Sequence, residues 1–290
     1  MKSKLFPHFL AFLTVFFWGL TFLSTKHLED TLTAFEILFI RYFIAYFALW
    51  AAYPKRLPVK SFKEEGMFFL CGITGATVYQ YLENLSISYT NASSVSFIVG
   101  TAPFFTALLA FFVLKEKLGL SRIFGMFVSI GGIFLICFGD SLSEGTGLTG
   151  DLIMLSGVIL WAIYSIAIKK VSAWGYSDVL VTRRIFFYSV VVMIPFMIPK
   201  LGSLPYADIV RPDIGLNLLF LAIIASALCF ATWNTAVKEL GPTVTATYLF
   251  ISPIITLLAE MILTDKKATV PALIGMALTL IGLFLAEFGG

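Results

Sequence analysis

The sequence predicts an all-α integral membrane protein: ten transmembrane helices forming two inverted five-helix repeats, residues 1–140 and 141–290. Three observations carry that expectation. Of 290 residues, 59% are hydrophobic and only 13% charged, whereas a water-soluble domain spends about 25% of its residues on charge to wet its surface. Apolar runs of about 20 residues, the length a bilayer demands, recur along the whole chain. The second half also repeats features of the first at nearly constant displacement.

In lipid every backbone N–H and C=O must find a partner within its own segment, so each spanning run is expected to be a helix. Candidate spans lie near 7–25, 34–53, 66–87, 92–114, 121–139, 151–169, 179–199, 214–237, 243–263 and 271–288. Lys2 and Lys4 precede an apolar run, as in a secretory signal. That run, Phe9 to Thr25, is too long for one and lacks a small-residue cleavage site, so it reads as an uncleaved first span. Cys71, Cys137 and Cys229 all fall in apolar spans and read as small buried hydrophobes.

Basic residues orient the chain. With a cytoplasmic N-terminus, the inside segments hold Lys55, Arg56, Lys60, Lys63, Lys115 and Lys117, while the outer loop from Gly139 to Asp151 has three acids and no base. This asymmetry places both termini in the cytoplasm. Lys266 and Lys267, in the second half, run against it.

The repeat is read from ordered matches. PFFTALLAFFVLKEK (103–117) is echoed by PIITLLAEMILTDKK (253–267), a displacement of 150 that also relates Asn84 to Asn234. GMFVSIGGIFLICF (125–138) matches GMALTLIGLFLAEF (275–288) at Gly, Met, Gly, Phe, Leu and Phe. Trp18 matches Trp161 and Arg41 matches Arg184, each displaced by 143. Five helices is an odd number, so the second copy enters the membrane upside down. Inverted repeats of this kind are the architecture of secondary transporters, with a substrate site near the midplane between the halves.

WGLTF (18–22), an arginine early in the second span, and the pattern Ala92, Pro103, Leu114, Glu116 in the fourth resemble the EamA family of the drug/metabolite transporter superfamily. Leu263, Thr264, Asp265 and Lys266 depart from the leucine-glycine-glutamate ending usual in that family. The resemblance implies a multi-pass transporter of the cytoplasmic (inner) membrane for small metabolites, often an exporter of amino acids or related compounds. It also implies a shared mechanical role for Pro103 and Pro253. Each proline sits about eleven residues into its span and deletes a backbone hydrogen bond there, so each is either a static bend or a hinge.

Polar side chains inside spans are the informative positions, because each costs free energy in hydrocarbon, about 2.5–3.5 kcal/mol for a central Arg or Asp. Glu36, Arg41, Glu83 and Glu260 fall within spans. Arg41 reads as the ion-pair partner of Glu83 or Glu36, and Glu260 as reaching the interface. Glu83, with Tyr79 one turn before it and Asn84 beside it, reads equally as a substrate or proton site. Thr14, Trp18, Thr21 and Thr25 form one stripe on the first span, and Gly157, Trp161, Tyr164 and Ser165 an equivalent one on the sixth. Trp18 and Trp161 lie mid-span, too deep for an interfacial belt, and aromatic walls suit planar or cationic ligands. The residues expected to line a cavity are Trp18, Tyr79, Glu83 and Asn84 from the first half, and Trp161, Tyr164, Trp233 and Tyr248 from the second. Gly125, Ser129, Gly132, Gly275 and Gly282 form small-residue faces suited to close helix packing.

The chain has no P-loop, no metal-ligand spacing and no nucleophile–base pair. No cofactor or metal is expected, and an intramembrane enzyme is the distant alternative. The expected partners are the lipid bilayer, a small-molecule substrate (amino-acid-like, or in the alternative an organic cation) and protons as a candidate coupling ion. No nucleic acid is expected, and the chain is expected to work as a monomer.

Overall fold

The computed structural model describes residues 5–90, 92–138, 148–263 and 269–288, apart from the side chains of residues 93, 136–138, 287 and 288. The acidic loop from residue 139 to 147, residues 264–266 of the family departure, Lys267, Lys2, Lys4 and the Cys137 side chain therefore lie outside the described residues.

The described residues form helices joined by turns and loops, with no strand among them. In chain order the elements are α1 (Leu5–Leu28), α2 (Ala34–Ala52) and α3 (Phe62–Cys71), which continues through a π-helix (Gly72–Val78) into α4 (Tyr79–Tyr89). Then come α5 (Ala92–Val99), α6 (Ala102–Val113), α7 (Leu120–Phe138), α8 (Leu148–Ser172) and α9 (Asp178–Met197). A 3-10 turn (Ile198–Ser203) and α10 (Tyr206–Ile209) lead to α11 (Pro212–Leu219), which passes through a second π-helix (Phe220–Leu228) into α12 (Cys229–Leu240). Last are α13 (Pro242–Thr247), a 3-10 turn (Tyr248–Ile251), α14 (Ser252–Leu263) and α15 (Val270–Phe288).

Seven helical runs among the described residues are long and apolar enough to cross a membrane: Leu5–Leu28, Ala34–Ala52, Ser94–Val113, Leu148–Ser172, Asp178–Ser203, Pro212–Leu240 and Pro242–Leu263. Leu120–Leu135 and Val270–Ala286 are shorter apolar helices. The run from Phe62 to Tyr89 is long enough but diluted by Tyr79, Gln80, Glu83 and Asn84.

Burial is inverted relative to a water-soluble bundle. On α1 the threonines Thr14, Thr21 and Thr25 are buried while Phe9, Phe12 and Phe16 are exposed. That pattern suits a helix whose outer face meets hydrocarbon, where phenylalanine costs nothing and a hydroxyl gains nothing. Cys71 and Cys229 are buried and free.

Helix ends follow local chemistry. Thr33 caps α2 with a reciprocal pair: the Glu36 amide donates to Thr33 Oγ1 at 3.4 Å and the Thr33 amide to Glu36 Oε2 at 2.8 Å. This capping box occupies Glu36, so Glu36 is not the ion-pair partner of Arg41 that the sequence offered. Pro103 and Pro253 each sit in the first turn of a new helix, α6 and α14, after an interruption at Gly100–Thr101 and at the 3-10 turn Tyr248–Ile251. A first-turn proline lacks only an N–H that has no helical partner anyway. The expected bends are thus breaks between two half-helices.

Contacts pair the elements crosswise. The closest pairing is α7 with α15; α4 lies along α8, α12 along α1, α6 against α8, α14 against α1, and α2 against α9. The first π-helix contacts α9 and the second contacts α2. The main core runs through α1, α2, α4, α8, α9 and α12.

Candidate functional site

The core converges on an aromatic cluster. The Trp161 ring lies 5.3 Å from Trp18, 4.8 Å from Tyr79, 5.0 Å from Tyr164 and 5.8 Å from Trp233, centre to centre. Trp18 and Trp233 are 5.0 Å apart. These separations fall in the range of tilted and edge-on aromatic pairs, each contributing about 0.5–1.5 kcal/mol beyond its area. Four helices supply the rings: α1, α4, α8 and α12.

Backbone features aim the rings. Gly75 lies in the first π-helix, where a β-carbon would come within 2.3 Å of the Tyr164 ring. Only glycine lets that ring lie against the backbone there. The π-helix is itself pinned: Thr77 Oγ1 donates to the Gly72 carbonyl at 3.0 Å, five residues back, and lies 2.9 Å from the Ser189 hydroxyl, from which it can accept. The second π-helix repeats the device, Ser226 Oγ donating to the Leu221 carbonyl at 2.8 Å. π-helical turns are rare and concentrate at functional sites.

A cavity opens beside the cluster, walled by Trp18, Thr21, Tyr79, Gln80, Glu83 and Trp161, and also by Phe22, Arg41, Val99, Leu249 and Ser252. About 20 Å³ of it is open to the centre of a water molecule, room for roughly one water. By the same measure the cleft at the start of α2, by Glu29, Ser88 and Lys200, holds about 420 Å³, and the cleft at its end, by Trp50, Arg56 and Arg183, about 290 Å³. In this conformation the site is closed around a water-sized space.

Glu83 is buried in that wall at 6% exposure. Tyr79, one turn earlier on α4, donates its hydroxyl to Glu83 Oε2 at 2.7 Å, and Gln80 Nε2 donates to Oε1 at 3.3 Å. Arg41 makes no ion pair within 4 Å among the described residues; its Nε donates to Ser226 Oγ of the second π-helix. The Glu83–Arg41 pair that the sequence offered is therefore not formed, although both line one cavity.

Of the sequence-derived residues, Trp18, Tyr79, Glu83 and Trp161 share the cavity wall. Tyr164 and Trp233 stand behind Trp161, and Tyr164 donates to Asn234 Oδ1 at 2.6 Å. Asn84 faces α2, donating to the Ala34 carbonyl at 3.2 Å. Tyr248 sits away from this group, its hydroxyl 2.7 Å from His8 Nδ1. Pro103 and Pro253 open α6 and α14 as described. Sequence reasoning did not single out Phe230, whose ring contacts Trp18, Trp161, Tyr164 and Phe186 at 5.3–6.1 Å. Nothing distinguishes it among thirty phenylalanines.

Comparison with known proteins now bears on the arrangement. The chain is 26% identical over 289 residues, 98% of either sequence, to an uncharacterized transporter of Archaeoglobus fulgidus. It is 26% identical over 219 residues to a probable terminal-alkyne amino-acid exporter of Streptantibioticus cattleyicolor, covering 76% of this chain and 72% of that one. A solved crystal structure, 16% identical, superposes with a TM-score of 0.77 over 98% of this chain and 99% of its own; that likeness concerns the fold. A model of the EamA-like transporter family matches residues 5–138 and 148–288. Together with the apolar helices, this identifies a multi-pass membrane protein, and the chain belongs to the EamA-like transporter family.

Proposed function

We propose that the chain is a secondary transporter that exports small metabolites, amino acids or related compounds, across the cytoplasmic membrane by alternating access. The observation that carries this reading is the enclosed cavity where α1, α4 and α8 meet, aromatic on one side and lined by the buried Glu83. The likeness to the Streptantibioticus relative, a probable terminal-alkyne amino-acid exporter, supports the substrate class and direction. Trp18, Tyr79, Glu83 and Trp161 form the binding wall in this reading, backed by Tyr164, Trp233 and Asn84. Tyr248 enters only if the helices rearrange. The breaks before Pro103 and Pro253 serve as hinges, and Glu83 is the candidate for proton coupling.

Ten spans in two inverted repeats, 1–140 and 141–290, complete the proposal. Several features support it. Thr77 and Gly72 of the first π-helix correspond to Ser226 and Leu221 of the second, both displaced by 149 residues. Contacts exchange between halves as an inverted pair requires: α4 with α8 matches α12 with α1, and α6 with α8 matches α14 with α1. The family model's matches to 5–138 and 148–288 divide the chain at the same place.

The test is flux in liposomes of purified protein, with a panel of amino acids set against quaternary amines. Amino-acid flux is expected. Flux of quaternary amines alone would favour the organic-cation alternative, which the aromatic wall and Glu83 also fit. Catalytic turnover without flux would overturn the transporter reading. For topology, cysteines placed at Lys60 and Ser203 are expected to label from opposite faces; labelling of both from one face rejects the inverted arrangement.

A further inference from the structure

Arg41 is 1% exposed, and a guanidinium stays protonated in proteins. Placing one within a membrane helix is costly even on the mildest scales. Such a residue is expected to be matched by a carboxylate. Here its Nε donates to Ser226 Oγ, and among the described residues its Nη1 has no hydrogen-bond partner and no carboxylate lies within 4 Å. Ser226 is itself fixed, because its hydroxyl proton goes to the Leu221 carbonyl. The guanidinium is thus held by a neutral acceptor.

Glu83, the carboxylate on the same cavity wall, is engaged in the mirror-image way, with both oxygens on neutral donors, Tyr79 Oη and Gln80 Nε2. Opposite charges therefore line one small cavity without touching. Among the described residues, other buried atoms on the same wall also lack partners: Gln80 Oε1, Trp161 Nε1 and Ser252 Oγ, on residues no more than 5% exposed. Buried polar groups are ordinarily hydrogen-bonded, and here several that are not converge on one cavity.

We infer that Arg41 is a carboxylate-binding residue and that the cargo is a zwitterion whose ammonium end meets Glu83. This deepens the transport reading above and rests on it. Charge balance selects the class. One buried cation and one buried anion leave the wall neutral. A simple organic cation would satisfy Glu83 but face Arg41 as a like charge; a simple carboxylate would satisfy Arg41 but face Glu83. An α-amino acid satisfies both, with its side chain left for the rings of Trp18, Tyr79 and Trp161. The planar guanidinium fork suits a carboxylate, where a lysine would offer only a point charge.

The experiment uses triads of probes: an α-amino acid, the amine left by removing its carboxylate, and the acid left by removing its amino group. For the leucine triad these are L-leucine, 3-methylbutylamine and 4-methylpentanoate, and the remaining neutral amino acids are treated alike. A ligand that binds only the folded protein raises its melting temperature with concentration, which yields a dissociation constant for the purified full-length chain. In the wild type, at least one amino acid is expected to bind about tenfold or more tightly than both of its analogues, the range of a charge-assisted hydrogen bond. Arg41→Gln is expected to erase the preference for amino acid over amine. Glu83→Gln is expected to erase the preference for amino acid over des-amino acid. A purely structural arginine would lower the melting temperature and leave the order of preference intact, which overturns the inference. Should Arg41→Gln fail to fold, the wild-type order alone decides. Amines that bind as tightly as their amino acids, or quaternary amines transported while no amino acid binds, also overturn it and leave the transporter reading standing. Absence of flux for every compound ends both.

Discussion

Between α7 and α15 the helices lie backbone to backbone. A β-carbon on Gly125 would meet the Ala286 amide at 2.4 Å, one on Gly282 the Ser129 amide at 2.4 Å, and one on Gly132 the Thr279 amide at 2.5 Å. The hydroxyls along this seam are spent on carbonyls: Ser129 on Thr279 at 3.1 Å, Thr279 on Gly275 at 2.8 Å, Ser121 on Leu285 at 3.0 Å. Between α1, α4 and α8 the opposite holds. Large rings line the space between them, and among the described residues Arg41, Gln80, Trp161 and Ser252 have polar atoms without hydrogen-bond partners. In lipid, where helix association draws on close packing and interhelical hydrogen bonds rather than on water exclusion, the seam is the saturated contact and the cavity the unsaturated one. A saturated contact holds one arrangement; an unsaturated one leaves polar groups for something else to satisfy.

The difference can be broken most severely at the seam. Gly282→Leu puts a branched side chain where even one carbon meets backbone, and is expected to cost about 3 kcal/mol or more, abolishing a cooperative melting transition in detergent. At the cavity the expectation reverses. Glu83→Gln should lower transport about tenfold or more while keeping a near-normal melting temperature, since the amide still accepts from Tyr79. A large stability loss rescued by Arg41→Gln would instead show the two charges to be a structural pair. The finest test lies within the seam itself. Gly132→Ala is expected to cost about 1–3 kcal/mol. Its neighbour Gly131, with nothing within 4 Å of a β-carbon, should tolerate alanine within about 0.5 kcal/mol. Equal effects at the two positions would mean that close approach is not what holds α7 to α15.

How much of this was legible follows from which forces act locally. Threonine and tryptophan stripes on the first and sixth spans pointed inward because a hydroxyl facing lipid gains nothing. The structure buries Thr14, Thr21, Thr25 and Trp161 accordingly. Spacing of four between Tyr79 and Glu83 placed them in contact. The small-residue faces at Gly125 and Gly282 carried their own meaning. Partner choice was less legible. Glu36 looked like a membrane carboxylate until its position at the third residue of α2 made it a cap. Arg41 looked paired because its partner, Ser226, lies 185 residues away and carries no charge. Tyr248 looked like cavity lining because its span, 243–263, was read as one continuous helix, whereas a 3-10 turn at Tyr248–Ile251 resets the phase there. The π-helices left no signature, since their hydrogen bonds differ from those of an α-helix by one residue and not by residue type.

That one residue sets an angle. Each position along an α-helix advances the side chain by about 100°, so the i→i+5 bonding of Gly72–Val78 fixes how α4 is turned relative to α3. Were the same seven residues to close as an ordinary α-helix, the tighter winding would swing Tyr79, Gln80 and Glu83 together by about a quarter turn or more. They would leave the cavity with every one of their side chains intact. The second π-helix holds Trp233 and Asn234 to the same clock. For this protein the winding of two short segments is as much a determinant of the cavity wall as any residue in it, and a change of winding there would be silent in any comparison of side chains.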